Sequence, residues 1–254
     1  MNSMRKGSGP PLLLVHGLGG SRHSFDTIID DLAAHREVIA IDLPGFGDTP
    51  PLEGEVSIRT LADAIGAFLT EHGLTGIDAA GSSVGARLVL ELARRGQIGA
   101  AVALDPGGFW TRRERRIFGA SVALSVKLLR LLKPLLPALS ANPVARTLLL
   151  AQFSARPWAL PPGVVERELR GFAESPSFDA ALDSLVNGPL QEGSPRGSIV
   201  IGWGRRDYVT LTRQAKRALA RFPGARLEWF EGSGHFPHWD APEKTSRLIL
   251  AATG

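Results

Sequence analysis

The sequence predicts an α/β fold, with a mostly parallel sheet covered by helices on both faces. Short apolar runs alternate with segments whose apolar residues recur at helical spacing, the pattern of βα units joined into a parallel sheet. Nearly every run stops at a glycine or proline turn. The length of 254 residues, 44% of them hydrophobic, suits one α/β domain with an insertion and is too apolar for a disordered chain.

In chain order, residues 12–16 (LLLVH) form a buried strand. Residues 25–34 have helical spacing, with Phe25, Ile28, Ile29 and Leu32 on one face. Residues 37–42 are a second strand, closed by Pro44-Gly45-Phe46-Gly47. Residues 57–72 are a helix through Ile58, Leu61, Ile65, Phe68 and Leu69, stopped by Gly73. Residues 76–80 form a strand, 84–95 a helix ending at Gly96, and 100–105 a strand ended by Pro106-Gly107-Gly108. A strand at 198–202, a helix at 211–222, a strand at 226–230 and a helix at 242–252 complete six strands.

The alternation breaks between residues 107 and 190. That block holds helical patterns, many prolines and no buried strand, so it reads as a helical insertion between two sheet strands. The domains are therefore a core of 1–106 and 191–254 and a helical cap of 107–190.

Composition excludes several chemistries. With no cysteine there is no disulfide scaffold, thiolate metal site or cysteine nucleophile. The start of the chain lacks an apolar signal core, and the longest apolar stretch, about 117–140, carries Lys127, Arg130, Lys133 and two prolines. A cytoplasmic protein without a transmembrane segment is expected. The net charge of +4 is not spread evenly. Residues 107–190 hold 11 Lys/Arg against 6 Asp/Glu, and the remainder 18 against 19. A basic stripe tied to a nucleic-acid-binding motif is missing, so nucleic acid is not an expected partner.

Four signals carry chemistry. Gly81-Ser82-Ser83-Val84-Gly85 is a G-x-S-x-G between a strand and a helix, the context in which a sharp turn exposes a serine nucleophile. The register selects Ser83, and the following helix N-terminus aims the Val84 N–H at developing negative charge. His16-Gly17-Leu18-Gly19-Gly20 follows the first strand and supplies Leu18 as the second oxyanion donor, with His16 in a structural role. Gly202-Trp203-Gly204-Arg205-Arg206-Asp207 sets Asp207 at a strand's carboxyl end, where it can orient a histidine; Asp105 is the competitor for that role. Gly234-His235-Phe236-Pro237-His238 follows the last strand, with His235 as general base. His-x-x-His can also be read as a metal pair, but two histidines without a carboxylate cluster are too few, and no metal is expected.

Ser83, Asp207 and His235 stand in the chain order Ser…Asp…His. On that order, and on the segments LLLVHGLGGS, IDLPGFGDT, GSSVGARLVLELA, GWGRRD and GHFPHWDAPE, the chain resembles the α/β-hydrolase superfamily from Pro11 to Gly254, apart from the insertion. The wording is similar to its lidded esterase and carbon–carbon bond hydrolase branch. The resemblance implies Ser83 as nucleophile, Asp207 as orienting acid, His235 as base, an oxyanion hole of the Leu18 and Val84 N–H groups, a lid at 107–190 and no cofactor. Two features depart from the family. Only about eleven residues precede the first strand, so the usual N-terminal hairpin is expected to be missing, and Ala86 stands where a further glycine is common.

These readings imply a carboxylic-ester hydrolase acting on a small-molecule ester or acyl substrate, anionic or hydrophobic. The same triad serves carbon–carbon hydrolases, thioesterases, lactonases and a menaquinone-pathway lyase, and some proteins of this fold only bind ligands. Arg87 matches the position of a substrate-binding arginine in that lyase, or is a helix-face residue bonding the insertion. Trp110 is either packing or a ligand platform. The leucines of the insertion beside Lys127, Arg130 and Lys133 form a core-facing face, an acyl pocket or a rest on an anionic membrane surface.

Overall fold

The computed structural model describes residues 1–189, 192–193, 195 and 197–254. Seven strands form one sheet: β1 (Ser3–Lys6), β2 (Pro11–Val15), β3 (Glu37–Ile41), β4 (Asp78–Ser82), β5 (Ala101–Leu104), β6 (Ile199–Gly204) and β7 (Arg226–Phe230). Their order is β1-β3-β2-β4-β5-β6-β7. All pairings are parallel except β1 with β3. Strand side chains alternate between two cores, as the pleat requires. Leu13, Val15, Ile39 and Ile41 face one core, and Leu12, Leu14, Val38 and Ala40 the other. The first is covered by α2 (Ile58–Glu71), α3 (Val84–Arg94) and α9 (Arg213–Arg221), the second by α1 (Ile29–Ala33) and α11 (Pro242–Ala252).

The structure corrects the reading at the N-terminus. Ser3–Lys6 add an edge strand, antiparallel to β3 with Ser3 opposite Ile41 and Lys6 opposite Val38. The sequence SMRK carries one apolar residue, too few for an alternation signal. β1 pairs with β3 and not with its chain neighbour β2, so the two do not form a hairpin. Two boundaries also move. The apolar face from Phe25 to Leu32 is buried as expected, but only Ile29–Ala33 is regular helix, because i to i−3 bonds (Ser24 to Ser21, Asp26 to His23, Ile28 to Phe25) make turns of residues 21–28. β4 lies two residues later than expected and takes in Gly81 and Ser82, with Gly81 paired to Val15 of β2 and Ala103 of β5 and Ser82 to Leu104.

The segment between β5 and β6 is helical: α4 (Arg112–Leu132), α5 (Leu136–Ala141), α6 (Pro143–Leu150), α7 (Pro162–Glu174) and α8 (Phe178–Asn187). The expected boundary at residues 190 and 191 lies outside the described residues. Thr111 starts α4 by a capping box with Glu114. Glu114 also takes Arg213 and Arg217 of α9, which fixes the start of α4 to the core.

The sheet order reverses direction between β2 and β4. In an open α/β sheet the crevice beyond the carboxyl ends at such a point is where ligands bind. The loops carrying Leu18 and Ser83 leave β2 and β4 there.

Candidate active site

β4 delivers the chain to Ser83, which has φ 56° and ψ −113° before α3 begins at Val84. A left-handed backbone at a non-glycine residue is strained and persists only where its surroundings over-determine it. Here the flanking glycines allow it. A Cβ on Gly81 would meet the Gly85 carbonyl oxygen at 2.3 Å, and one on Gly85 would meet the Val15 carbonyl oxygen at 2.0 Å. The Ser83 N–H donates to Leu104 O at 2.9 Å, which anchors the turn to β5.

His235 and Asp207 come to this serine from the loops after β7 and β6. The Ser83 Oγ lies 2.9 Å from His235 Nε2, and His235 Nδ1 lies 2.9 Å from Asp207 Oδ2. With Asp207 a carboxylate, Nδ1–H donates to it and Nε2 is left to accept the serine proton. Asp207 is itself held: its Oδ1 accepts the Val209 and Thr210 N–H groups at 2.7 and 2.8 Å, and Thr210 Oγ1 donates to Oδ2. The rival acid, Asp105, is buried next to Asp207 without reaching His235 by a hydrogen bond, and its Oδ1 accepts the Gly204 N–H at 2.8 Å. Burial and the charge of Asp207 push its carboxyl well above the usual range.

Asp105, Asp207 and His235 bring one donor atom each within 4.8 Å of one another. Two of those donors are already bonded to each other across 2.9 Å, so the cluster is built to hold a proton on Nδ1. The second histidine of His-x-x-His does not join it. His238 is buried against Phe25 and Phe236, and burial together with His235 lowers its pKa to about 3.

Of the two expected oxyanion donors, Val84 follows the serine in the chain and Leu18 lies in the loop after β2. The loop after β2 passes so close that a Cβ on Gly17 would lie 3.2 Å from that of Ser83. Neither the Leu18 nor the Val84 N–H makes a hydrogen bond among the described residues. His16 orders this loop, donating from Nδ1 to Gly17 O at 2.7 Å and accepting the Leu43 N–H on Nε2 at 3.0 Å. Burial lowers its pKa to about 4, so the ring stays neutral.

The helical block closes over these groups, leaving Ser83 8% exposed and His235 1%. Phe153 O accepts the His235 and Phe236 N–H groups at 2.8 and 3.2 Å. The Phe153 ring stacks on Phe236 and Phe172. Asp240 Oδ2 takes both the Gly234 and Ala155 N–H groups, tying the histidine loop to the block. Glu168 of α7 reaches Ser24 at 2.8 Å, and its burial raises the carboxyl pKa to about 7. The structure does not bring Arg87 or Trp110 to the serine by any polar contact. Arg87 is buried and donates to the carbonyls of Leu185 and Pro189 at the end of the block; burial lowers its pKa to about 10. Trp110 stacks on Phe118 with ring centroids 4.7 Å apart.

Thr210, the Phe153 carbonyl and Glu168 were not singled out from the sequence. Thr210 had a readable signal, since Asp207 three residues earlier is the spacing of a side chain bonding its own turn. The other two act across about 80 and 140 positions of chain, and no local pattern marks them.

A model of the alpha/beta hydrolase family matches residues 12–248. An uncharacterized protein of Mycobacterium tuberculosis is 29% identical over 96% of this chain and 75% of its own length. An esterase from Thermogutta terrifontis superposes with a TM-score of 0.78 at 18% identity, covering 98% of this chain and 91% of that one. A meta-cleavage product hydrolase from Pseudomonas fluorescens does so with a TM-score of 0.74 at 19% identity, over 98% and 92%.

Proposed function

The chain belongs to the alpha/beta hydrolase family, and from that premise we propose that it is a serine hydrolase cleaving a carboxylic ester through an acyl-enzyme intermediate. The observation that carries the reading is the continuous chain Asp207–His235–Ser83, with both links at 2.9 Å and its serine on a strained turn beside two unengaged N–H groups. Serine alone is a weak nucleophile; a hydrogen-bonded neutral imidazole makes it competent.

In this mechanism Ser83 Oγ attacks the ester carbonyl carbon as its proton passes to His235 Nε2. The carbonyl π electrons move to oxygen, and the Leu18 and Val84 N–H groups hold the oxyanion. Removing one such donor lowers turnover on the order of 100- to 1000-fold. Asp207 stays ionised and stabilises the imidazolium. The intermediate collapses, the C–O bond to the alcohol breaks, and His235 gives its proton to the leaving oxygen. Water, deprotonated by His235, then attacks the acyl-enzyme carbonyl; the C–O bond to Ser83 breaks, His235 returns the proton to Ser83 Oγ, and the acid leaves. The helical block acts as the lid of this site. Arg87 belongs in the reading as a residue that holds the lid's end, and Trp110 as lid packing. No cofactor takes part in any step.

A chain-length series of p-nitrophenyl esters and matching thioesters tests the proposal. Hydrolysis is expected for the native chain and a loss on the order of ten-thousandfold or more for Ser83→Ala, at unchanged circular dichroism. Turnover that survives Ser83→Ala removes the mechanism. A protein that folds natively, binds acyl ligands and turns over none of them supports the ligand-binding reading.

A further inference from the structure

Among the described residues, nothing covers the outer face of α4. Nine large apolar side chains are exposed among the described residues, and eight lie between residues 117 and 158. Leu124, Leu128 and Leu131 follow one another by four and three positions, so they share one side of α4, and Leu135 is exposed just beyond its end. Leu124 is 70% exposed and Leu131 73%. The opposite side of α4, with Phe118, Val122, Val126 and Leu129, is buried against the rest of the protein. α4 is therefore apolar on two sides, and only one of them is used in the fold. The stripe continues onto α6: Leu128 and Leu148 line the same cleft, and Leu148 is 77% exposed. Trp158 is exposed beside α6, where Arg146 holds its carbonyl.

Charge identifies the occupant. Residues 112–150 carry eight lysines and arginines and one acid, Glu114, which is taken up by Arg213 and Arg217. Arg113, Arg116 and Lys127 rise from the α4 surface beside the leucines, with no ion-pair partner among the described residues. Two copies of this face would bring like charges together, so a second copy of the chain is a poor partner. A helix with an exposed leucine stripe, flanking cations and a neighbouring tryptophan matches an anionic lipid surface, where acyl chains meet the leucines and headgroups meet the cations.

We infer that the outer face of α4 and α6 docks on anionic phospholipid bilayers, with Leu124, Leu131 and Leu148 inserted and Arg116 and Lys127 at headgroup level. The cleft between α4 and α6, a volume of about 250 Å³, is lined by Leu128 and Leu148 together with Phe153 and Phe172. Phe153 holds the backbone of His235. Resting on the hydrolase reading, the docked face thus offers an acyl chain a cleft whose wall includes Phe153, the residue bonded to the His235 backbone.

Vesicle sedimentation tests the docking without any catalysis. The Ser83→Ala protein is mixed with vesicles of phosphatidylcholine alone, or with 30% phosphatidylglycerol, a probe composition of about one anionic lipid in three. Binding to the anionic vesicles on the order of tenfold tighter than to neutral ones, and weakened by added salt, is the expected result. The double variant Leu124→Glu and Leu131→Glu is expected to lose that binding while keeping its circular dichroism and its hydrolysis of a short water-dissolved ester. Equal binding of the double variant overturns the assignment, as does no binding to either vesicle. If the native chain dimerises without lipid and the double variant is monomeric, the face is a copy–copy interface and the lipid assignment is wrong. Vesicle binding with no ester turnover in the native chain would sink the hydrolase reading alone.

Discussion

The sheet core and the helical block between β5 and β6 treat apolar surface in opposite ways. In the core, strand residues such as Leu13, Ile39, Ala80 and Val102 are fully buried, and α3 buries ten consecutive residues from Val84 to Ala93. In the block, α4 buries one side and exposes a second apolar side. Charge follows the same division, nearly neutral in the core and strongly basic in the block. Backbone strain divides too. Among the described residues, the two non-glycine residues with positive φ, Ser83 and Asp105, both lie in the core, at the carboxyl ends of neighbouring strands. A rigid, densely packed region can hold a strained serine and a buried acid pair in place. The region over it is less completely packed and presents its surplus apolar surface outward.

Three substitutions sharpen that contrast. Gly85→Ala has the largest expected effect. Its Cβ would sit 2.0 Å from the Val15 carbonyl oxygen, inside a region where neither backbone can move aside. A loss of about 3 kcal/mol in chemical denaturation, with loss of esterase activity, is expected. A fully active variant of native stability would break the claim that the core is rigid at the elbow.

Glu168→Gln probes the seam between the two regions. The native carboxyl, with a pKa near 7, is neutral and favourable below its ordinary range near 4.5, and that stability is lost as pH rises through about 7. The Gln variant cannot ionise. Its stability relative to the native chain is therefore expected to climb from pH 4.5 to just above 7, by up to about 3 kcal/mol, and then level off. The buried neutral rings of His16 and His238 make both proteins less stable toward acid, below about pH 6.5, and cancel in the difference. A difference that is flat with pH contradicts a buried, ionisable Glu168.

Arg87→Met has a smaller effect and separates two roles. The guanidinium holds two carbonyls at the end of the block, so its loss is expected to cost about 2 kcal/mol of stability with an unchanged KM for neutral esters. A KM raised for anionic esters at full stability would return Arg87 to substrate binding.

The legibility of the molecule follows the same contrast. Strands such as β2 and β3 were readable because buried parallel strands are near-continuous apolar runs, as in LLLV and EVIAI. β1 was not, since an exposed edge strand of four residues needs no such run. The hydrogen-bonded Ser83, Asp207 and His235 lie in segments with local marks in the sequence, glycines above all, because sharp turns at strand ends require them. The contacts between the helical block and these residues were not readable. The Phe153 carbonyl on His235, Glu168 on Ser24 and Arg87 on Leu185 are contacts across large separations, fixed by tertiary packing. The leucines of α4 were visible, but which of them face outward depends on how the helix docks.

The most direct test of the central claim is intact-mass measurement after treatment with a fluorophosphonate, which captures a serine only when a neighbouring base activates it. The account predicts one adduct per chain, mapped to Ser83, absent in Ser83→Ala and formed far more slowly in His235→Ala. A folded native chain that takes no adduct, or takes one that Ser83→Ala does not remove, would contradict it.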